Sequence, residues 1–99
     1  MSLSARLLLI KALHLLDRGE VERGELVLRD AIALAGEAAD SMTAVAALCC
    51  LGELLVQLDR RSEATEVLRS CLAVPISEDF DDVCAVERSR AQEILAALA

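Results

Sequence analysis

Apolar side chains recur every three to four residues along most of this chain, the spacing that gathers them on one side of an α-helix. Five segments carry the pattern. The first runs from Ser4 to Asp17, with Leu7, Leu8, Leu15 and Leu16 at helical spacings. Gly19 follows and can adopt the left-handed conformation that ends many helices. The second spans Glu20 to Ala35, with Val21, Leu28, Ala31 and Ile32 inward, Glu22, Arg23, Glu25 and Arg29 outward, and Gly36 as its stop. The third and longest covers Ser41 to Leu58, entered through Asp40 or Ser41, whose side-chain oxygens can accept from free backbone N–H groups. Asp59 or Ser62 opens the fourth, which runs to Val74 and is stopped by Pro75. Beyond a polar connection over 76–81, the fifth spans Asp82 to Leu98 with the stripe Val83, Val86, Ile94, Leu95 and Leu98. Strand-like alternation is sustained nowhere, so the expected fold is all-α.

The first two helices echo the next two at a shift of 40. Leu8 falls on Leu48, Ala12 on Gly52, Leu15 on Leu55, Gly24 on Ala64, Leu28 on Leu68, Ala31 on Cys71 and Ile32 on Leu72. Three of these pairs match small residue to small residue, as a helix crossing requires where two backbones approach. A repeated unit that cannot bury its apolar face alone must stack on its neighbour.

The second unit presents Leu48, Leu51, Gly52, Leu55, Ala64, Leu68, Cys71 and Pro75; the first presents Leu8, Lys11, Ala12, Leu15, Gly24, Leu28 and Ala31. This pattern resembles the tetratricopeptide repeat (TPR). Both aromatic positions of that family are Leu here, Lys11 stands for a Leu, Pro75 comes one position early, and the spacing of 40 exceeds the usual 34 or so. The resemblance covers roughly residues 5–75 and implies α-α helical hairpins (TPR-like) within a single domain over residues 1–99, the last helix standing where a third repeat's first helix or a capping helix would lie. Repeat 1 covers about 5–36, repeat 2 about 41–75, and a terminal helix about 82–98. It further implies a concave groove lined by the first helix of each pair. That set is Arg6, Leu9, Leu13, Leu16 and Asp17 from repeat 1, and Ala46, Cys49, Glu53, Val56 and Gln57 from repeat 2. Its mostly apolar character suits an amphipathic helix or a second subunit better than a peptide carboxylate.

Ninety-nine residues suit one domain. Apolar residues make up 56%, yet Phe80 is the one aromatic, so the core is built from Leu, Ala, Val and Ile, which favours close-packed helices. The net charge of −7 argues against nucleic acid, whose phosphates need Lys and Arg. Acidity rises along the chain, with five basic and seven acidic groups in residues 1–50 but five and ten in 51–99. Lys11 interrupts Leu7–Ile10 before a secretion signal could form, and Ser41–Leu58 is short for a membrane span. A cytoplasmic protein with reduced thiols is the expectation.

Candidate chemistry changes the picture little. Cys49, Cys50, Cys71 and Cys84 lack zinc-ligand spacing, and adjacent Cys49 and Cys50 diverge by about 100° on a helix, so they read as core thiols. His14 has no orienting partner or oxyanion loop in sight and reads as a surface or groove-edge residue. The scattered glycines form no phosphate loop. Glu78, Asp79, Asp81 and Asp82 lack calcium-loop spacing and suit a solvated loop capping the last helix, or a dock for a basic partner. Neither catalysis nor a metal or cofactor is expected.

The apolar stripes carry the functional expectation. With a mean hydropathy of +0.47, an empty groove would expose Leu9, Leu13, Leu16 and Val56 together, and soluble monomers seldom expose such patches. The expected role is a non-enzymatic adaptor or chaperone holding an apolar helical segment of a partner, with no nucleic acid and no membrane. A homodimeric structural domain, or part of a larger array, is the first alternative, since Ala91, Leu95 and Leu98 look poorly capped. The second is suggested by a resemblance in size, acidity and groove character to the small TPR-like chaperones of bacterial type III secretion.

Overall fold

The computed structural model describes residues 3–78 and 82–99; Met1 and Ser2, and Asp79, Phe80 and Asp81 of the acidic stretch, lie outside them. The described residues form five α-helices and no strand: α1 Leu3–Asp17, α2 Val21–Glu37, α3 Ser41–Gln57, α4 Arg61–Ala73 and α5 Ala85–Leu98. None is long and apolar enough to cross a membrane.

The first four helices are joined by three turns of one design, 20 residues apart. In each, a pair of backbone hydrogen bonds folds the chain back on the helix it leaves. Glu20 N–H donates to Leu15 O (2.9 Å) and Gly19 N–H to Leu16 O (3.0 Å). Asp40 and Ala39 do the same to Ala35 and Gly36 (2.8 and 3.2 Å), and Arg60 and Asp59 to Leu55 and Val56 (2.8 and 3.0 Å). These bonds satisfy carbonyls that a helix end leaves free, and they need a left-handed residue at the bend. Gly19 (φ 79°), Ala39 (φ 53°) and Asp59 (φ 59°) occupy that position. Gly36 is therefore not the stop: α2 continues past it to Glu37, and Ala39 makes the turn.

A side chain in the left-handed region costs roughly 1–2 kcal/mol, while glycine adds unfolded-state freedom of about 0.4–1 kcal/mol. Ala39→Gly is thus expected to stabilise the fold by about 0.5–1 kcal/mol, read as a higher midpoint in thermal unfolding. An unchanged or lower midpoint would contradict this account of the turn.

Glu20, Asp40 and Arg60 serve twice, since each also starts the next helix through its carbonyl, which accepts from Gly24, Ala44 or Ala64 N–H. Only the middle one of these three caps with its side chain as well: Asp40 Oδ1, buried, accepts from Thr43 N–H at 3.2 Å. The expected start of α4 at Asp59 or Ser62 is replaced by Arg60.

Burial follows the same 20-residue beat. Gly24, Ala44 and Ala64 are buried at one phase, Leu28, Leu48 and Leu68 at the next, then Ala31, Leu51 and Cys71. Each helix packs on the one that follows it, and α3 also meets α1 and α5, so it touches all four others. Ten of its 17 residues are buried as a result. Close approach depends on missing side chains. A Cβ added at Gly24 would stand 2.5 Å from Leu16 Cδ2, and one at Gly52 would stand 2.6 Å from Leu68 Cγ.

On the outside, an ion cluster ties α2 to the start of α4. Arg60 donates two hydrogen bonds to Glu25 (2.6 and 3.0 Å) and also pairs with Glu63, while Arg29 reaches Glu25 at 3.0 Å. Glu25, expected to point outward, is therefore mostly covered. Hydrogen bonding from Arg60, joined by Arg29, outweighs desolvation and holds its carboxyl below the usual carboxylate range.

The last helix departs most from the sequence reading. It begins at Ala85, so Val83 precedes it; Val83 and Val86 are exposed, while Cys84 and Ala91 are buried and Ile94, Leu95 and Leu98 are half-buried against the core. Ala91, expected to be poorly covered, is fully enclosed.

Candidate partner-binding cleft

The cleft begins with the way α1 and α3 meet. Both pack against α2, and their own contact is slight, so a furrow remains between them. At one end, Leu13, Leu16 and Asp17 of α1 and Glu53 and Gln57 of α3 line a cleft of about 320 Å³ together with Val21, Cys50 and Leu54. At the other end, Arg6 and Leu9 of α1 face Ala46 of α3 across a second hollow of about 240 Å³, closed by Met42, Thr43 and three residues of or before α5, namely Val83, Cys84 and Glu87.

Eight of the ten groove residues inferred from sequence thus line one of two hollows. Cys49 and Val56 do not. Cys49 is turned toward α5, where its Sγ lies 3.6 Å from the Glu87 carbonyl oxygen in a thiol hydrogen bond, and Val56 packs on the main core. The wall of α3 is Cys50, Glu53, Leu54 and Gln57, at helical steps of three, one and three, so the true face is rotated slightly from the inferred one. That rotation explains why Cys50 and Leu54 were missed.

The expected exposed apolar patch is smaller than supposed. Leu13 is exposed, but Leu9, Leu16 and Val56 are half-buried against the main core. Leu16 fills the space beside Gly24 and so has a packing role of its own.

Electrostatically the rim is acidic but partly neutralised. Glu53 accepts from Arg90 of α5 at 2.6 Å, and that same contact raises the Arg90 pKa; Asp17 is exposed beside it. The thiols nearby are poor nucleophiles. Burial, reinforced by the Glu53 charge, pushes Cys49 up to about 12, and burial pushes Cys71 up to about 11. Cys50, lining the cleft, is raised in the same direction by burial and by Glu53. A thiolate is disfavoured at each of these positions at neutral pH. His14 is exposed on α1 and lines neither hollow.

A scan of protein-family models and searches of curated proteins and of solved structures find no match to this chain.

Proposed function

We propose that the protein is a non-enzymatic interaction module of TPR-like build, two helical hairpins and a terminal helix, which holds an apolar helical segment of another protein between α1 and α3. The observation that carries this reading is the cleft itself. Leu13, Leu16, Val21 and Leu54 offer apolar contact, and Asp17, Glu53 and Gln57 supply a polar rim that can fix orientation. Apolar anchors within a polar rim are the usual anatomy of a protein-binding patch. The hairpin reading is supported by the recurring turns and by burial of the small residues matched at a shift of 40: Ala12 with Gly52, Gly24 with Ala64 and Ala31 with Cys71. The acidic rim favours a neutral or basic segment over an acidic one.

The test uses Leu13→Asp and Gln57→Arg, which change the exposed lining of the cleft and leave Leu16 and its packing intact. Partners captured by the unaltered protein from cells that express it are expected to be lost with Leu13→Asp while unfolding temperature moves by no more than a few degrees. Undiminished capture by both variants would reject the cleft as the binding site.

A further inference from the structure

Among the described residues, two carboxylates facing the furrow between α1 and α3 enter no ion pair: Asp17 and Glu87. Asp17 closes α1 and lines one hollow. An acid in the last turn of a helix meets the partial negative charge of the free carbonyls, so this position opposes folding slightly rather than aiding it. Its neighbour Arg18 turns instead to Glu20, at 3.5 Å. Glu87 lines the other hollow, and its Oε2 is buried with no hydrogen-bond partner. The first turn of α5 is a favourable place for an acid, yet it does not supply the donor that a buried carboxylate oxygen ordinarily has. The other charges along the furrow are answered within the fold: Glu53 accepts from Arg90 at 2.6 Å, and Arg6 has an interaction of its own.

We infer that the helix seated in this furrow carries a basic side chain at each end of its apolar stripe, one meeting Asp17 and the other Glu87. The inference rests on the cleft reading above and names the charge pattern of its partner. Spacing follows from α1, which runs beside the furrow. Asp17 stands about eight to eleven residues beyond Leu9 and Arg6, roughly 12–16 Å at the rise of a helix, so the two basic residues are separated by a similar number of positions. The Glu87 end suits lysine. Leu9, Met42, Ala46 and Val83 offer apolar wall to its alkyl stem, and the compact ammonium meets the carboxylate. An acidic helix would instead set like charges together at both ends.

Three synthetic helical peptides test the assignment. They share one leucine stripe and differ at two positions flanking it, about eleven residues apart, which carry Lys, Gln or Glu. Titration calorimetry of the intact protein is expected to show the Lys peptide binding at least about tenfold more tightly than the Gln peptide, with the Glu peptide weakest. Asp17→Asn and Glu87→Gln should each remove roughly threefold of that gain and leave affinity for the Gln peptide unchanged. Asp17→Asn should also leave the thermal midpoint unchanged or higher; a lower one would mean that the fold itself uses this charge, against the proposal. Equal affinity for the Lys and Gln peptides, a gain that survives both substitutions together, or no binding of the Lys peptide at about 1 mM overturns it. Leu13→Ser separates the two levels. If it weakens all three peptides and they bind alike, the cleft stands and the charge pattern falls; if it weakens none, the cleft falls and the pattern with it. A dimer in light scattering that dissociates on Leu13→Ser also overturns the proposal, because the occupant is then a second copy.

Discussion

Leu68→Ala is expected to remove about 3–5 kcal/mol of unfolding free energy, the largest loss anticipated for a single truncation. Leu68 is fully buried on α4 and presses its branched end onto the backbone of α3 at Gly52. The size of a truncation penalty depends on how far neighbours relax into the void. Here the facing residue is a glycine, which has no side chain to move, and Gly52 sits in the helix that meets all four others. The void therefore persists. Urea unfolding followed by circular dichroism measures the loss, and a value below about 1 kcal/mol would mean that α4 slides to close the gap.

The reciprocal change, Gly52→Ala, is expected to cost about 1–2 kcal/mol although alanine is the better helix former by about 1 kcal/mol. The added methyl would lie inside the van der Waals radius of Leu68, whose side chain is enclosed and cannot swing away. Gly36→Ala is the matched control, since nothing lies within 4 Å of a Cβ there and the propensity gain should appear undiminished. Combining Gly52→Ala with Leu68→Ala should be less harmful than the sum of the two, because the new methyl occupies part of the space that the leucine vacates. Strict additivity in that cycle would show that the two residues do not share a contact.

Much of the helix layout was legible because it rests on local chemistry. The apolar spacing, Asp40 as a cap and Pro75 as a stop are all properties of a few adjacent residues, and α3 begins at Ser41 as read. The bends were harder. Gly36 signals a helix end, yet the bend falls where the buried Ala35 carbonyl can receive Asp40 N–H, and that forces Ala39 into a conformation it does not prefer. The 20-residue beat was hidden behind the shift of 40, since its clearest phase, Gly24, Ala44 and Ala64, is merely small in a chain full of alanine.

The site was legible in outline only. On α1 apolar residues lie nearly all round, so periodicity alone does not decide whether Leu8 and Leu15 or Leu7 and Ile10 meet the core; contact with α2 decides it. On α3 a rotation of one residue separates Cys49, held under α5, from Cys50, which lines the cleft. The pairing of Arg60 with Glu25 joins residues 35 apart in sequence and leaves no local trace.

The serial packing of the helices, with α3 in their midst, also bears on how the molecule forms and opens. Most of its contacts join neighbours in the chain, so loop closure is cheap and folding belongs with the fast helical proteins that reach the native state in about microseconds to milliseconds. Opening is correspondingly uneven. α3 is held from several sides and is released only when the whole structure is lost, whereas α5 rests on α4 and α3 with less contact than any other helix and with only Ala91 fully enclosed, so it opens first. The hollow of the proposed cleft that Arg6 and Leu9 face is closed by Val83, Cys84 and Glu87 around the start of α5. A partner that reaches that hollow binds only while α5 is docked, and so it ties down the helix that would otherwise come away first.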